Sequence, residues 1–284
     1  MAFSYALQLG LTAAVGLGAG VLGGVAGVGG SMVMIPGLHL VHGNNPSEIH
    51  HLYMASAMLV NVAVALPAAY QHGRAGAVRR DLLPLAIAAA TAGILIGVFC
   101  SNLIDGDALS ALLGGAIILY CAYLAIRTAR NSPEPDHASR RTSPWRVASC
   151  SALAGLTGGL LGLGGGVVLV PALQLVCRIP LRHAIATSSA VICFTALIGA
   201  GFKLATLGQH GQSIPHALLL AALMAPTAIL GARIGAKLTH TLPLQWVRVL
   251  IILFLIAAAA KLMSGTLSPC PPHPPPPPAR PSPA

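Results

Sequence analysis

The groups in this sequence that could hold a small ligand are uncharged, and many belong to the backbone of two glycine-rich stretches. The first stretch covers residues 20–31 and the second covers residues 155–166. Because glycine has no Cβ, a ligand can approach its backbone closely. Where a helix begins among such glycines, its free N–H groups and partial positive charge favour an anion. The two stretches therefore predict anion binding by backbone groups.

We expect the ligand to lie between the two stretches, where hydroxyl and amide side chains could complete its hydrogen bonds. The candidate binding residues are Gly27, Gly29, Gly30, Ser31, Ser56, Asn61, Gly162, Gly164, Gly165, Gly166, Thr187, Ser188 and Ser189. Two simpler interpretations stay open. The glycines could serve only to let helices pack closely, and each hydroxyl could bond back to its own helix.

The acidic residues argue against several kinds of chemistry. There are six of them, and all are expected in loops or at the ends of apolar segments: Glu48, Asp81, Asp105, Asp107, Glu134 and Asp136. Buried proton relays and paired-carboxylate catalysis both need carboxylates inside the protein. None of the six cysteines has the spacing of a metal site. The sequence therefore predicts no enzyme, no metal site and no cofactor.

The basic side chains leave one ambiguous position. Lys203 is the only cation expected inside an apolar segment, about one turn from its end. Its ammonium could extend to the membrane surface, or it could attract anions towards a binding site. Five histidines are expected in solvated turns, although a proton-sensing role stays open: His50, His51, His72, His183 and His210.

The composition indicates an integral membrane protein. Of 284 residues, 55% are hydrophobic and 8% are charged, and the mean hydropathy is +0.79. Soluble domains carry about a quarter charged residues. The formal charge of +10 is expected to reflect basic loops that face anionic lipid, not nucleic acid. The expected surroundings are therefore a lipid bilayer, with no nucleic-acid partner.

An internal repeat predicts that the chain consists of two related halves. Adding 135 to the number of each glycine in the first stretch gives a glycine in the second, and Pro36 likewise corresponds to Pro171. The predicted organisation is a first transmembrane repeat (1–127), a basic cytoplasmic linker (128–146), a second transmembrane repeat (147–263) and a disordered Pro-rich tail (264–284).

Each half is expected to contain four segments, of which the first is broken. The apolar segment 5–41 would be about 55 Å long as one helix, whereas a bilayer core is about 30 Å thick. We therefore expect breaks at the glycines there and in segment 147–177. The remaining expected spans are 52–70, 82–101, 108–126, 184–206, 215–236 and 244–263.

The distribution of positive charge predicts that the halves are inverted. Loops 74–80 and 127–146 are basic and should lie inside, whereas turns 42–51 and 102–107 have no Lys or Arg and should lie outside. Because Arg178 also marks an inner turn, segment 147–177 would enter and leave on one side, as two arms of about a dozen residues. The fold class is thus an all-α polytopic membrane protein with re-entrant first segments. Eight plain spans with parallel halves are the alternative.

The paired motif resembles a known family. The pattern Gly-x-x-Gly-Gly-x-x-Gly-x-Gly-Gly, followed by a proline and repeated in the second half, resembles the TauE/SafE, or sulfite exporter-like, family over residues 5–263. The run Thr187-Ser188-Ser189 also resembles it, whereas Ala55-Ser56-Ala57 departs from the pattern in the first half. The resemblance implies a multi-pass transporter of the plasma (inner) membrane for small, often sulfur-containing, anions.

The predicted function is export of sulfite- or sulfonate-type anions by alternating access around a glycine-rich site at the membrane midplane. A monovalent anion that leaves a cell with a negative interior gains about 2.3 kcal/mol per 100 mV. Export therefore needs no coupled ion, which agrees with the lack of carboxylates in the predicted spans. The alternatives are a transporter of small carboxylates and a non-transporting membrane subunit or chaperone.

Overall fold

The computed structural model describes residues 2–42, 46–129 and 142–241, and these residues contain helices but no strand. The helices are α1 (Ala2–Ala26), α2 (Ser31–His42), α3 (Pro46–Arg74), α4 (Leu83–Ser101), α5 (Gly106–Ala129), α6 (Pro144–Leu160), α7 (Gly166–Leu175), α8 (Leu181–Thr206) and α9 (Ile214–Thr241), with a short 3-10 helix (Leu207–His210) after α8. Prolines at their first turns favour the starts of α4 and α6.

Six of these helices contain stretches that are long and apolar enough to cross a membrane. They are Leu7–Ala26, Ile49–Arg74, Leu83–Ser101, Gly106–Tyr123, Leu181–His210 and Ile214–Thr239. The prediction of an all-helical, multi-pass membrane protein is confirmed. The central part of the linker (130–141), the last expected span (244–263) and the Pro-rich tail (264–284) lie outside the described residues.

Both long apolar segments are broken at the predicted glycines. The first break separates Ala26 from Ser31, and the second separates Leu160 from Gly166. The predicted arm length was wrong for the first arms, because α1 has 25 residues and α6 has 17. The second arms are shorter, with 12 residues in α2 and 10 in α7.

The expected polar turn at 42–51 is also corrected. Helix α3 begins at Pro46, so His50 and His51 lie on its first turns. Proline fits the first turn of a helix because it has no N–H to leave unpaired there. The two histidines are therefore placed on a regular element and not in a solvated turn.

Helices α3 and α8 pack against each other and run antiparallel. At one end, Lys203 Nζ near the end of α8 lies 2.8 Å from His51 Nδ1 near the start of α3. At the other end, the Arg79 N–H, just after α3, donates to Thr187 Oγ1 near the start of α8 at 3.2 Å. We call the first the non-basic end, because its loops 102–105 and 211–213 have no Lys or Arg. The second, which holds Arg79, is the basic end.

Helix α1 packs along α9 in the same direction. A Cβ at Gly24 would lie 2.5 Å from the Ala232 carbonyl oxygen, and one turn earlier Gly20 contacts Ala228 in the same way. Glycine is required at these positions because any side chain would push the two helices apart. Since α9 starts at the non-basic end, α1 starts there too.

Helices α4 and α6 form the corresponding pair in the same manner. Gly93 on α4 contacts Ala152, and Gly97 contacts Leu156 one turn later. This pair is also parallel, and α6 therefore starts at the basic end together with α4. In both pairs, a helix from one half of the chain packs on a helix from the other half.

The second arm of each broken segment folds back along the first arm. At the end of α2, His42 Nε2 lies 3.3 Å from Thr12 Oγ1 on α1. Just after α7, the Cys177 thiol forms a hydrogen bond with Cys150 near the start of α6. Each broken segment is thus a helical hairpin whose tip is formed by the glycines.

Candidate functional site

The tips of the two hairpins meet inside the helical bundle. A Cβ added at Gly166 would lie 2.5 Å from Val28 Cα, so the two backbones are in contact there. Both tips are buried. Residues 27–31 and 162–166, between which the ligand was expected, are therefore brought together.

Corresponding glycines turn the backbone at the two tips. Gly27 and Gly162 have φ of 64° and 71°, and Gly29 and Gly164 have φ of 82° and 71°. Residues with a Cβ rarely adopt this left-handed conformation. The glycines in each stretch thus have two uses: those before the break allow close helix packing, and those at the break form the turn.

Asn61, from the middle of α3, closes the first tip. Its Oδ1 accepts hydrogen bonds from the N–H groups of Gly30 at 2.7 Å and Ser31 at 3.2 Å. Its Nδ2 donates to Ser31 Oγ at 2.6 Å and to the Leu163 carbonyl of the other tip at 3.3 Å. The buried amide therefore caps the N-terminus of α2, where an anion was expected to bind, and joins the two tips.

Thr195, from the middle of α8, has a different role at the second tip. Its Oγ1 donates to the Gly164 carbonyl at 2.9 Å. It does not cap α7, which begins at Gly166 without a side-chain cap. A helix start has N–H groups that its own turns cannot satisfy. Of the two helix starts, that of α7 is therefore the one whose N–H groups no side chain caps.

The predicted hydroxyl groups have separate roles. Ser188 Oγ donates to the Gly27 carbonyl at 2.7 Å and so supports the first tip. In contrast, Ser56 and Ser189 bond back to carbonyls of their own helices at 2.9 and 3.0 Å. Thr187 lies at the basic end, where it accepts the hydrogen bond from the Arg79 N–H. Of these four, only Ser188 bonds to a tip.

The loop at the basic end is fixed to the start of α8. His183 Nδ1 lies 2.7 Å from the Ala77 carbonyl, next to the bond between Arg79 and Thr187. The Arg79 guanidinium also forms an ion pair with Asp81 at 2.7 Å. Hydrogen bonding to Arg79 keeps the pKa of the Asp81 carboxyl below its ordinary value.

A cavity of about 900 Å³ lies between α3, α8 and α9. Its wall is largely apolar and extends from Leu59 and Leu197, near the level of the tips, to Arg233 and Lys237 near the end of α9. Because α9 ends at the basic end, the positive side chains lie at that end of the cavity.

Lys203 and three of the histidines do not behave as expected. The lysine is fully buried, so of the two interpretations left open, extension to the membrane surface is excluded. His50 and His51 are buried on α3, and His72 is buried near its end, so none of them is a solvated turn residue. Lys203 contacts Ser101 and Asn102 in addition to His51.

Sequence reasoning missed Thr195 and Asn102. Thr195 had a detectable signal, because Pro46 and Pro180 are 134 residues apart and the same offset relates Asn61 to Thr195. Asn102 had none, since its contact with Lys203 depends on how the ends of α4 and α8 approach each other.

The family of the chain follows from its similarity to known proteins. The family model described as sulfite exporter TauE/SafE matches residues 12–262. MamO of Magnetospirillum gryphiswaldense, described as a probable membrane transporter protein, is 27% identical over 91% of this chain and 45% of its own length. The chain thus spans less than half the length of this relative.

Two shorter relatives are matched over almost their whole length. A probable membrane transporter protein of Methanocaldococcus jannaschii is 26% identical over 84% of this chain and 90% of its own length. The probable membrane transporter protein YunE of Bacillus subtilis is 24% identical over 87% of this chain and 94% of its own length. No solved structure matches the chain. The match over most of its residues shows that the chain belongs to the sulfite exporter TauE/SafE family of membrane transporters.

Proposed function

We propose that this protein transports a small anion, which binds at the N-terminus of α7 between the two hairpin tips. The observation that carries this proposal is the difference in capping: Asn61 occupies the start of α2, whereas no side chain caps the start of α7. The N–H groups there carry partial positive charge in a buried, water-poor environment. Such a site favours an anion without using a charged side chain.

The proposed substrate is a sulfite- or sulfonate-type anion. This choice rests on the family description. A small carboxylate would meet the same backbone groups and is the alternative. Export is the preferred direction, since an anion leaving a cell with a negative interior gains about 2.3 kcal/mol per 100 mV.

The proposed topology is inverted, with both hairpins re-entrant. Two packing directions support it: α1 runs with α9, and α6 runs with α4. These directions start one hairpin at the non-basic end and the other at the basic end. The positive-inside rule then assigns the basic end to the cytoplasm, in the plasma membrane. Alternating access would open the site towards one end at a time.

Replacing Thr195 by Asn tests the site. The longer amide would supply to α7 the cap that Asn61 gives to α2, and it would compete with the anion for the same N–H groups. We expect Thr195→Asn to reduce sulfite flux in proteoliposomes at least tenfold while the protein stays folded. Flux of sulfoacetate and acetate, measured in the same assay, separates the sulfur-containing substrates from carboxylates.

Thr195→Val is the matched control. It removes the hydroxyl but adds no group that reaches α7, so flux should stay within about threefold of the parent protein. If Thr195→Asn is folded and transports as well as the parent, the start of α7 is not the site. If the parent protein moves none of the three anions in either direction, the transport proposal fails in favour of a non-transporting subunit.

A further inference from the structure

A buried lysine at the non-basic end has no carboxylate partner among the described residues. Lys203 Nζ lies 2.8 Å from His51 Nδ1, 3.0 Å from Ser101 Oγ and 2.7 Å from Asn102 Oδ1. Among the described residues the one ion pair is between Arg79 and Asp81, at the opposite end. The neighbours of Lys203 Nζ are therefore neutral hydrogen-bond acceptors. They solvate the ammonium group but do not balance its charge.

The orientation of Asn102 indicates that this cluster is built to hold a cation. Its Nδ2 donates to Thr206 Oγ1 at 3.0 Å, which directs the oxygen of the amide towards Lys203. The same oxygen lies 3.4 Å from His210 Nε2. Burying an ammonium group is costly unless an opposite charge or several hydrogen bonds compensate. The hydrogen bonds are present, but no carboxylate of the described residues lies within ion-pair distance of Lys203.

A pocket of about 420 Å³ lies next to the side chains that hold the lysine. Its wall includes His51 and Asn102, which also contact Lys203, and His210, whose ring stacks on that of His51 with centroids 3.6 Å apart. Asp105 and Gln212 complete the polar part of the wall. The pocket thus lies between loop residues and two of the side chains that hold Lys203.

We infer that this pocket, formed by His51, Asn102 and His210 next to Lys203, binds a small oxyanion transiently during its transport. The anion supplies the missing negative charge, and the polar side chains of the pocket wall face it. The carboxylate of Asp105 repels the anion and limits the affinity of the pocket. A limited affinity is what a transient site needs, because it must release its ligand. The inference rests on the proposed transport, which makes the bound anion the transported one.

The position of the pocket suits transfer to the hairpin tips. Lys203 follows Thr195 by eight residues on α8, which corresponds to about 12 Å along a helix. An anion at the pocket is therefore about two helical turns from the start of α7. The charge of Lys203 would raise the local anion concentration on this side of the site.

Two opposite charge changes test the inference in the purified full-length protein. Sulfite and sulfate are the probes, and calorimetry measures their affinity. We expect Lys203→Met to weaken binding at least tenfold, because the only buried lysine or arginine among the described residues is lost. Asp105→Asn removes a repulsive charge on an exposed residue and should tighten binding about threefold. Lys237→Met makes the same lysine change at an exposed site and should leave the affinity unchanged.

A combined variant separates this inference from the proposed function. In Thr195→Asn protein, in which the start of α7 is occupied, we expect sulfite to bind the pocket still, and Lys203→Met to abolish that binding. If Lys203→Met does not fold, Asp105→Asn decides, since an affinity equal to or weaker than that of the parent overturns the inference. Equal affinities in parent and folded Lys203→Met protein overturn it as well. Loss of flux with intact pocket binding would instead count against the site at α7 alone.

Discussion

The two hairpin tips have similar backbone conformations, but different side-chain hydrogen bonds hold them. In the first tip, Asn61 satisfies the start of α2 and reaches across to the Leu163 carbonyl. In the second, Thr195 bonds only to the Gly164 carbonyl and to carbonyls of its own helix, and the start of α7 has no side-chain cap. The start of one hairpin arm is thus capped by a side chain from another helix, while the start of the other is not.

Under the proposed function, this difference would let two similar backbones serve one site. A helix N-terminus favours an anion only if its N–H groups are not already bonded. Two open tips in contact would bring two sets of partial positive charges together, whereas the Asn61 cap removes one of them. The asymmetry therefore supports a single anion between the hairpins.

Removing the hydrogen-bonding groups of Asn61 and of Thr195 should have very different effects on stability. Asn61→Leu leaves the N–H groups of Gly30 and Ser31 and the Leu163 carbonyl without this partner, in a place that water does not reach. We expect a loss of about 4 kcal/mol. Thr195→Val removes one hydrogen bond and should cost about 1 kcal/mol. Thermal unfolding of the purified variants in detergent measures both.

The near-isosteric replacements keep the side-chain volume similar, so packing changes do not dominate the comparison. Equal losses of stability in the two variants would contradict the unequal roles of the tips. A larger loss in Thr195→Val would reverse them.

Corresponding glycines at the tips should also differ in their tolerance of a methyl group. A Cβ at Gly27 would lie 2.7 Å from the Ile185 carbonyl oxygen, which is backbone and cannot move aside. A Cβ at Gly162 would lie 2.9 Å from Met54 Cγ, on a flexible side chain. In both variants the alanine has to adopt a positive φ, which is unfavourable for a residue with a Cβ. We therefore expect the free energy of unfolding to fall by about 3 kcal/mol for Gly27→Ala and by about 1.5 kcal/mol for Gly162→Ala.

Unfolding midpoints of these two alanine variants, measured side by side, check the order. The exposed Gly208 in the 3-10 helix has open space around it, and Gly208→Ala should leave the midpoint nearly unchanged. The expected order fails if Gly162→Ala is the less stable of the pair.

The breaks were predictable from the sequence because they depend on local properties. An apolar segment too long for one span must be interrupted, and the glycines of residues 27–30 and 162–165 are the residues best suited to interrupt it. The roles of Asn61 and Lys203 were harder to predict. Asn61 bonds to residues 30, 31 and 102 positions away, and no sequence pattern gives that proximity.

The burial of Lys203 has a similar cause. A lysine one turn from the end of an apolar segment normally reaches the membrane surface. Here its ammonium is held by Ser101 and Asn102 at the end of α4 and by His51 on α3. The site therefore depends on three helix ends that only the tertiary structure brings together.

The smallest expected effect comes from making the second tip resemble the first. Thr195→Asn should cap α7 and raise the stability by about 1 kcal/mol, the usual value of a helix cap. The melting temperature would increase by a few degrees, and sulfite flux would fall in the same protein. A gain in stability with unchanged flux would mean that α7 accepts a cap without losing a ligand. A loss of both stability and flux would mean that the longer amide does not fit at this position. Thr195→Ser, which keeps the bond to the Gly164 carbonyl, then serves as the reference for a folded tip.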